Sequence, residues 1–118
     1  MAATILAKRP DRSGEALEMV EHAVRDRAGR TVLLTEEGRR HIVKGHPILD
    51  GWELAIMRAV EDADETCRGN KPGREIHWAK QLGPARWLAV VVAYDRRGRG
   101  MIVTAFPSRR PPKIENRI

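Results

Sequence analysis

The sequence predicts an α+β domain, with two to three N-terminal helices packed on an antiparallel sheet of about four strands. Three observations carry this expectation. The hydrophobic period is mostly helical in the first half of the chain and strand-like after Gly73. Helices precede strands instead of alternating with them, which separates α+β from α/β. The length, 118 residues, suffices for one core and not two.

Residues 1–12 read as a loose leader. Ser13 is a candidate N-cap, with Leu17, Val20 and Val24 following at helical spacing until Gly29. His22 falls on this helix among Glu18, Glu21 and Arg25, as a solvated residue. Thr31–Leu34 is a short β-like run. Thr35 caps a second helix, with Glu36 and Glu37 in the first turn, where the dipole favours anions. Gly45 closes it and Pro47 prevents continuation. A third helix starts at Asp50, with Glu53 echoing a capping box, and runs to about Cys67. Its apolar stripe is Trp52, Ile56, Ala59, Val60 and Ala63, expected to pack on the sheet containing Trp87–Tyr94.

Cys67–Gly73 is a loop by composition. Glu75–Lys80 reads as a strand broken by Gly83 and Pro84. Trp87–Tyr94 is nearly continuous in apolar residues, as for a central strand. Asp95–Gly100 is a turn and Met101–Phe106 the returning strand of a hairpin. Pro107, Pro111 and Pro112 end regular structure, leaving a basic tail over 107–118.

Charge is unevenly placed. Residues 67–118 hold 12 Lys/Arg against 3 Asp/Glu, a balance of +9, whereas residues 1–66 hold 10 against 13, a balance of −3. A half-domain this basic attracts polyanions through counterion release, so nucleic acid is the first partner to consider. No apolar run approaches the roughly 18 residues of a membrane span. The N-terminal apolar residues precede Lys8 and Arg9, the reverse of a secretory signal. The single cysteine, Cys67, forms no internal disulfide and suggests a reducing compartment. These features predict a cytoplasmic protein without membrane partners.

His41 and His46 are the leading chemical candidates. They stand five residues apart, about 500° of helix rotation, and so do not share one helix face. They can converge because Pro47 redirects the chain after His46. Two imidazoles at one cleft suit general acid–base work. Zinc is the rival use for His41, His46, Cys67 and His77, but paired ligand spacing is lacking. Neither metal nor other cofactor is implied. Lys80 and several arginines supply cations near the sheet; Arg74, Arg109, Arg110 and Lys113 are candidate RNA contacts. Tyr94 and Thr104 place hydroxyls in an otherwise apolar hairpin, either as satisfied core groups or as site residues. Trp78 and Trp87 read as core more than as stacking platforms.

The segment Thr35-Glu-Glu-Gly-Arg-Arg-His41-Ile-Val-Lys-Gly-His46-Pro47 and the later Met101-Ile-Val-Thr104-Ala-Phe106-Pro107 together resemble a known family. It is the phage-associated branch of the barnase–EndoU–colicin–RelE superfamily of small toxin ribonucleases. Its members carry His-Ile-x-x-x-His-Pro, then a helix, then a late strand ending in Thr-Ala-aromatic. The resemblance covers roughly residues 31 to 113. It divides the single domain into a leader and first helix (1–30) and a nuclease-like α+β unit (31–118). It implies helices on one face of the sheet and metal-independent RNA cleavage. By position it implies His41, His46 and Thr104 as site residues, with Lys80 on a strand that often gives a cation. Gly45 stands where arginine is common, and Ile48 where an acidic residue is common, which puts the strength or substrate of the activity in doubt.

Two functions follow as expectations. The first is a toxin-type endoribonuclease with RNA as substrate and an acidic immunity protein or antitoxin as partner. The second is a non-catalytic, basic nucleic-acid-binding domain of phage or mobile-element origin. Low aromatic content, 4%, argues against single-strand reading by stacking.

Overall fold

The computed structural model describes the backbone of residues 4–9 and 19–118, with side chains from His22 onward. The fold is α+β. Strands β1 (Thr4–Arg9), β2 (Met19–Arg25) and β3 (Thr31–Leu34) come first, followed by helices α1 (Glu36–Gly45) and α2 (Glu53–Glu61). Then come β4 (Glu65–Arg68), β5 (Arg74–Lys80), β6 (Trp87–Tyr94) and β7 (Gly100–Ser108). All seven strands form one mixed sheet in the order β1-β2-β3-β7-β6-β5-β4. The pairing is antiparallel except for β3 with β7, which are parallel. That is a larger sheet than the four antiparallel strands expected.

Two expected elements are corrected. The described part of the expected first helix, Met19–Arg25, is a strand paired on both sides, and Thr4–Arg9 of the expected leader is its partner. Ser13 and Leu17 lie outside the described residues. Val20 and Val24 are four apart, a spacing that satisfies a two-residue period as well as a helical one. The turn decides between them. Asp26 Oδ1 accepts from Ala28 N at 2.9 Å and Arg30 N at 2.8 Å, and Gly29 takes a left-handed φ of +86°. This is a type I turn with a glycine bulge, which joins antiparallel strands. The β6–β7 turn repeats it: Asp95 Oδ1 accepts from Arg97 N and Arg99 N at 2.9 Å each, and Gly98 has φ +79°.

The third expected helix is shorter at both ends. Asp50 closes a 3-10 turn over Pro47–Leu49, and α2 begins at Glu53 with Trp52 as N-cap. At the other end Glu65–Arg68 pairs with β5, so its backbone is committed to the sheet. Ile56, Ala59, Val60 and Ala63 of the stripe are buried, but Trp52 is 37% exposed because it sits at the N-cap, off the packed turns. The second helix matches expectation: the Thr35 side chain accepts from Gly38 N at 3.0 Å and caps α1.

Both helices pack on one face of the sheet, α1 on β7 and α2 on β2, β5 and β6. Directly paired residues share a face. The register therefore puts Ala79, Leu88, Val90 and Ala105 beneath the helices, where all are buried with Ile42, Ile56, Met57 and Val60. The alternate residues form the second face: Arg74, Ile76, Trp78 and Lys80 of β5, Trp87, Ala89 and Val91 of β6, and Thr104, Phe106 and Ser108 of β7. A bulge between Val91 and Val92 keeps Thr104 and Phe106 on this second face while Ile102 stays in the core.

Candidate functional site

The edge of β7 positions the histidines. β3 pairs with β7 only at Gly100 and Met101, so from Ile102 onward that edge has no strand beside it among the described residues. Pro107 is tolerated inside β7 for this reason, since a proline lacks the N–H a second neighbour would need. Helix α1 runs along the vacated edge. It comes close at Gly38, where an added Cβ would stand 3.2 Å from the Ile102 carbonyl oxygen.

His41 lies one turn further along α1 and is exposed. It lines a groove of about 330 Å³ with Thr35, Gly38, Met101 and Val103. His46 is the C-cap of α1 and is half-buried, its ring centroid 6.4 Å from that of Phe106. The two histidines therefore border β7 at Met101–Val103 and at Phe106, with Thr104 between these contacts in the strand. Arg39, in the same helix, is engaged: Glu36 holds it by two hydrogen bonds of 2.9 and 2.7 Å.

Phe106 begins a file of rings on the second face. Trp78 meets Phe106 edge-on at 5.7 Å and 90°, and Trp87 at 6.2 Å and 80°. Lys80 Nζ lies 5.4 Å from the centre of the Trp87 ring. Three of the five aromatic residues of the chain are thus collected in one place. Lys80 stands on β5 in register with Trp87 and Ser108, two strands across from β7 and four residues along it from Thr104, or roughly 16 Å at normal strand spacing and rise. It shares the face with Thr104 but not its immediate surroundings.

Among the RNA-contact candidates, Arg110 and Lys113 come together on the 109–118 segment. This segment is a strap. It leaves β7 at Ser108 and reaches β4, where Arg117 forms a bridge with Cys67 and an ion pair with Glu65, and Ile118 N donates to Thr66 O at 2.9 Å. Arg74 lies on the second face beyond Ile76, and Arg109 is exposed where the strap begins. Cys67 is buried beneath the strap, and burial, reinforced by the charge of Glu65, raises its thiol above the ordinary range.

Tyr94 is not with Thr104. It pairs with Gly100 on the helix side, whereas Thr104 pairs with Val91 on the second face. Its ring lies over Gly100, where an added Cβ would come within 2.8 Å of Cε1. Tyr94 O–H donates to Asp26 Oδ2 at 2.7 Å, and the hydroxyl oxygen stands 2.8 Å from His77 Nε2. Its one proton goes to Asp26, so His77 Nε2–H donates to Tyr94 and Nδ1 carries the lone pair. Nδ1 is buried and without a partner among the described residues.

Arg30 completes this cluster. It donates to Asp26 Oδ2 at 2.8 Å and to both oxygens of Glu75 at 3.0 and 2.6 Å, with its guanidinium 3.7 Å above the Tyr94 ring. Burial works to raise the Asp26 pKa, but bonds from Tyr94 and Arg30 outweigh it and hold the carboxyl below its ordinary value. Burial lowers the His77 pKa, with Asp26 and Glu75 pulling the other way. Burial and the Asp26 bond raise the Tyr94 hydroxyl.

Asp26, Arg30 and Glu75 were not singled out from sequence as site residues, and their cluster joins positions 68 apart. The rival zinc set does not gather: Cys67 pairs with Ile76 on the second face, while His77 pairs with Val90 under the helices. Among the described residues no helix is long and apolar enough to cross a membrane. No protein-family model, curated protein or solved structure matches the chain.

Proposed function

We propose that the chain is a metal-independent endoribonuclease of the small toxin-type or phage-associated kind, working by histidine acid–base catalysis. The observation that carries this reading is the placement of His41 and His46 along the vacated edge of β7, on either side of Thr104. One histidine takes the proton from a ribose 2′-OH, which attacks the neighbouring phosphorus. The other protonates the leaving 5′-oxygen. Because the nucleophile belongs to the substrate, the protein supplies only proton transfers and charge stabilisation.

Thr104 holds a phosphate oxygen in this scheme. Lys80, across the face on β5, serves a phosphate further along the strand. Tyr94 is assigned to the fold, since its hydroxyl is engaged by Asp26 and His77 on the other side of the sheet. A toxin of this kind also calls for an inhibitor, and a basic second face favours an acidic one.

The test is incubation of the purified chain with RNA in EDTA, followed by analysis of the product ends. The expected products carry 2′,3′-cyclic phosphate and 5′-hydroxyl groups. RNA that is bound but left uncut would favour a non-catalytic RNA-binding domain. Cleavage of DNA that requires added magnesium would overturn the proposal.

A further inference from the structure

The strap encloses a second candidate site. Between it and the second face lies a cavity of about 340 Å³, within the size range of small-molecule pockets, about 300–1,000 Å³. Cys67, Ile76 and Trp78 form its apolar floor. Arg110 and Lys113 of the strap are at its walls, Arg68 lines it at the end of β4, and no carboxylate is among its lining residues. The Trp78 indole Nε1–H is buried and has no acceptor among the described residues.

We propose that this cavity receives one unstacked nucleobase of single-stranded RNA, with its flanking phosphates on Arg110 and Lys113. The proposal rests on the ribonuclease reading and adds the subsite that selects the substrate. Apolar and aromatic surface beside clustered cations is the combination that single-stranded nucleic acids use, the base on the ring and the backbone on the charges. The cavity also adjoins the histidine site. The Phe106 ring centroid lies 5.7 Å from that of Trp78 and 6.4 Å from that of His46, so Phe106 neighbours both the floor and His46. A base held here places a nearby phosphate toward the β7 edge.

The strap limits what can enter. It is pinned at Ser108, whose Oγ donates to Arg110 O at 2.9 Å, and at β4 through the Cys67–Arg117 bridge. Pro111 and Pro112 restrict the backbone between these anchors. A paired base cannot reach under the strap without leaving its duplex, so the cavity favours loops and single strands.

The test uses the full chain and the four nucleoside 3′-monophosphates as probes, with inorganic phosphate as the control. Binding is followed by the NMR signals of the indole N–H groups. At least one nucleotide is expected to saturate and to shift the Trp78 indole signal, which Trp78→Phe assigns by removing it. Arg110→Ala with Lys113→Ala, both at exposed positions, is expected to weaken that nucleotide roughly tenfold. Inorganic phosphate alone is expected to leave the Trp78 signal in place.

No response of Trp78 to any nucleotide would overturn the proposal, as would parental affinity in the Arg110→Ala/Lys113→Ala chain. Displacement of Trp78 by phosphate alone, to the same extent as by nucleotides, would also overturn it. The two readings fail separately. Nucleotide binding at Trp78 without RNA cleavage supports the cavity and removes the ribonuclease. RNA cleavage with a silent Trp78 removes the cavity and leaves the ribonuclease standing.

Discussion

Asp26 is nearly enclosed, at 5% exposure, and keeps its charge because Tyr94 and Arg30 surround it with donors. His77 is buried in its neutral form beside it. Both groups bind protons less readily in the folded chain than in the unfolded one. On acidification the unfolded chain therefore takes up protons first, and stability falls. The His77 contribution starts to fall as pH drops through its ordinary value of 6.5. The Asp26 contribution is present above its ordinary 3.8 and is lost as pH falls further. Urea unfolding across this range is expected to show stability declining in these two windows. A flat profile from neutral pH to about pH 5 would contradict the placement of His77.

Tyr94→Phe separates fold from chemistry. It leaves one Asp26 bond unmade and His77 Nε2–H without its acceptor, a loss of about 1–3 kcal/mol. Cleavage per folded molecule is expected to stay at the parental level, measured below the lowered melting temperature. Sequence left the two hairpin hydroxyls open between core and site. Only the register separates them, because a bulge in β7 sets which face each residue takes, and no residue pattern announces that bulge.

At the scale of elements, the two turns are built from one signal, Asp26-Arg-Ala-Gly29-Arg30 and Asp95-Arg-Arg-Gly98-Arg99. The second is marked as a turn by the strongly apolar runs that flank it. Before the first, Ser13 as an N-cap and the spacing of Leu17, Val20 and Val24 favour a helix that Gly29 ends, although Val20 and Val24 fit either period. The same signal stands in both places, and only the hydrophobicity of the flanking runs differs. Helix α1 was legible throughout, since Thr35, Glu36, Glu37 and Pro47 mark both ends. The short α2 was not, because pairing of Glu65–Arg68 with β5 outweighs a helical stripe that local sequence continues.

Gly38 tests how α1 serves the site. Alanine there gains helix propensity of about 0.5–1 kcal/mol, but its Cβ crowds the Ile102 carbonyl at 3.2 Å. The two effects oppose, so stability is expected to change by less than about 1 kcal/mol. The helix must shift slightly from β7, taking His41 and His46 with it. Cleavage is expected to fall by about tenfold or more, since small misplacements are costly in catalysis. Thermal unfolding and initial rates on the same sample read both quantities.

Across the whole molecule, charge and chemistry divide between two faces. The helices cover one side of the sheet, and the strap crosses the other with Arg110 and Lys113 over it. The charge asymmetry pointed to the second half of the chain but not to one face, because face depends on register. Affinity for single-stranded RNA is expected to fall steeply with salt, each phosphate contact adding about 0.7 to the log–log slope. Replacing Arg110 or Lys113 by Ala is expected to reduce that slope by one such step. Replacing Arg58, exposed on α2 on the other side, is expected to leave it unchanged.

The histidine pair was visible in sequence as a motif, but its relation to Thr104 depends on where β3 stops. β3 leaves β7 after Met101, so α1 lies along the open edge with His41 at Met101–Val103 and His46 at Phe106. We propose that this arrangement cuts RNA. Its most direct measurement is the initial cleavage rate of a single-stranded RNA in EDTA for the parental chain, His41→Ala, His46→Ala and the double variant. Each single change is predicted to lower the rate by ~10²–10⁴, with thermal unfolding little changed. The double variant is predicted to be little slower than the worse single one, because acid and base act as a unit. Cleavage by the double variant at the parental rate, or none by the parental chain, would contradict the account.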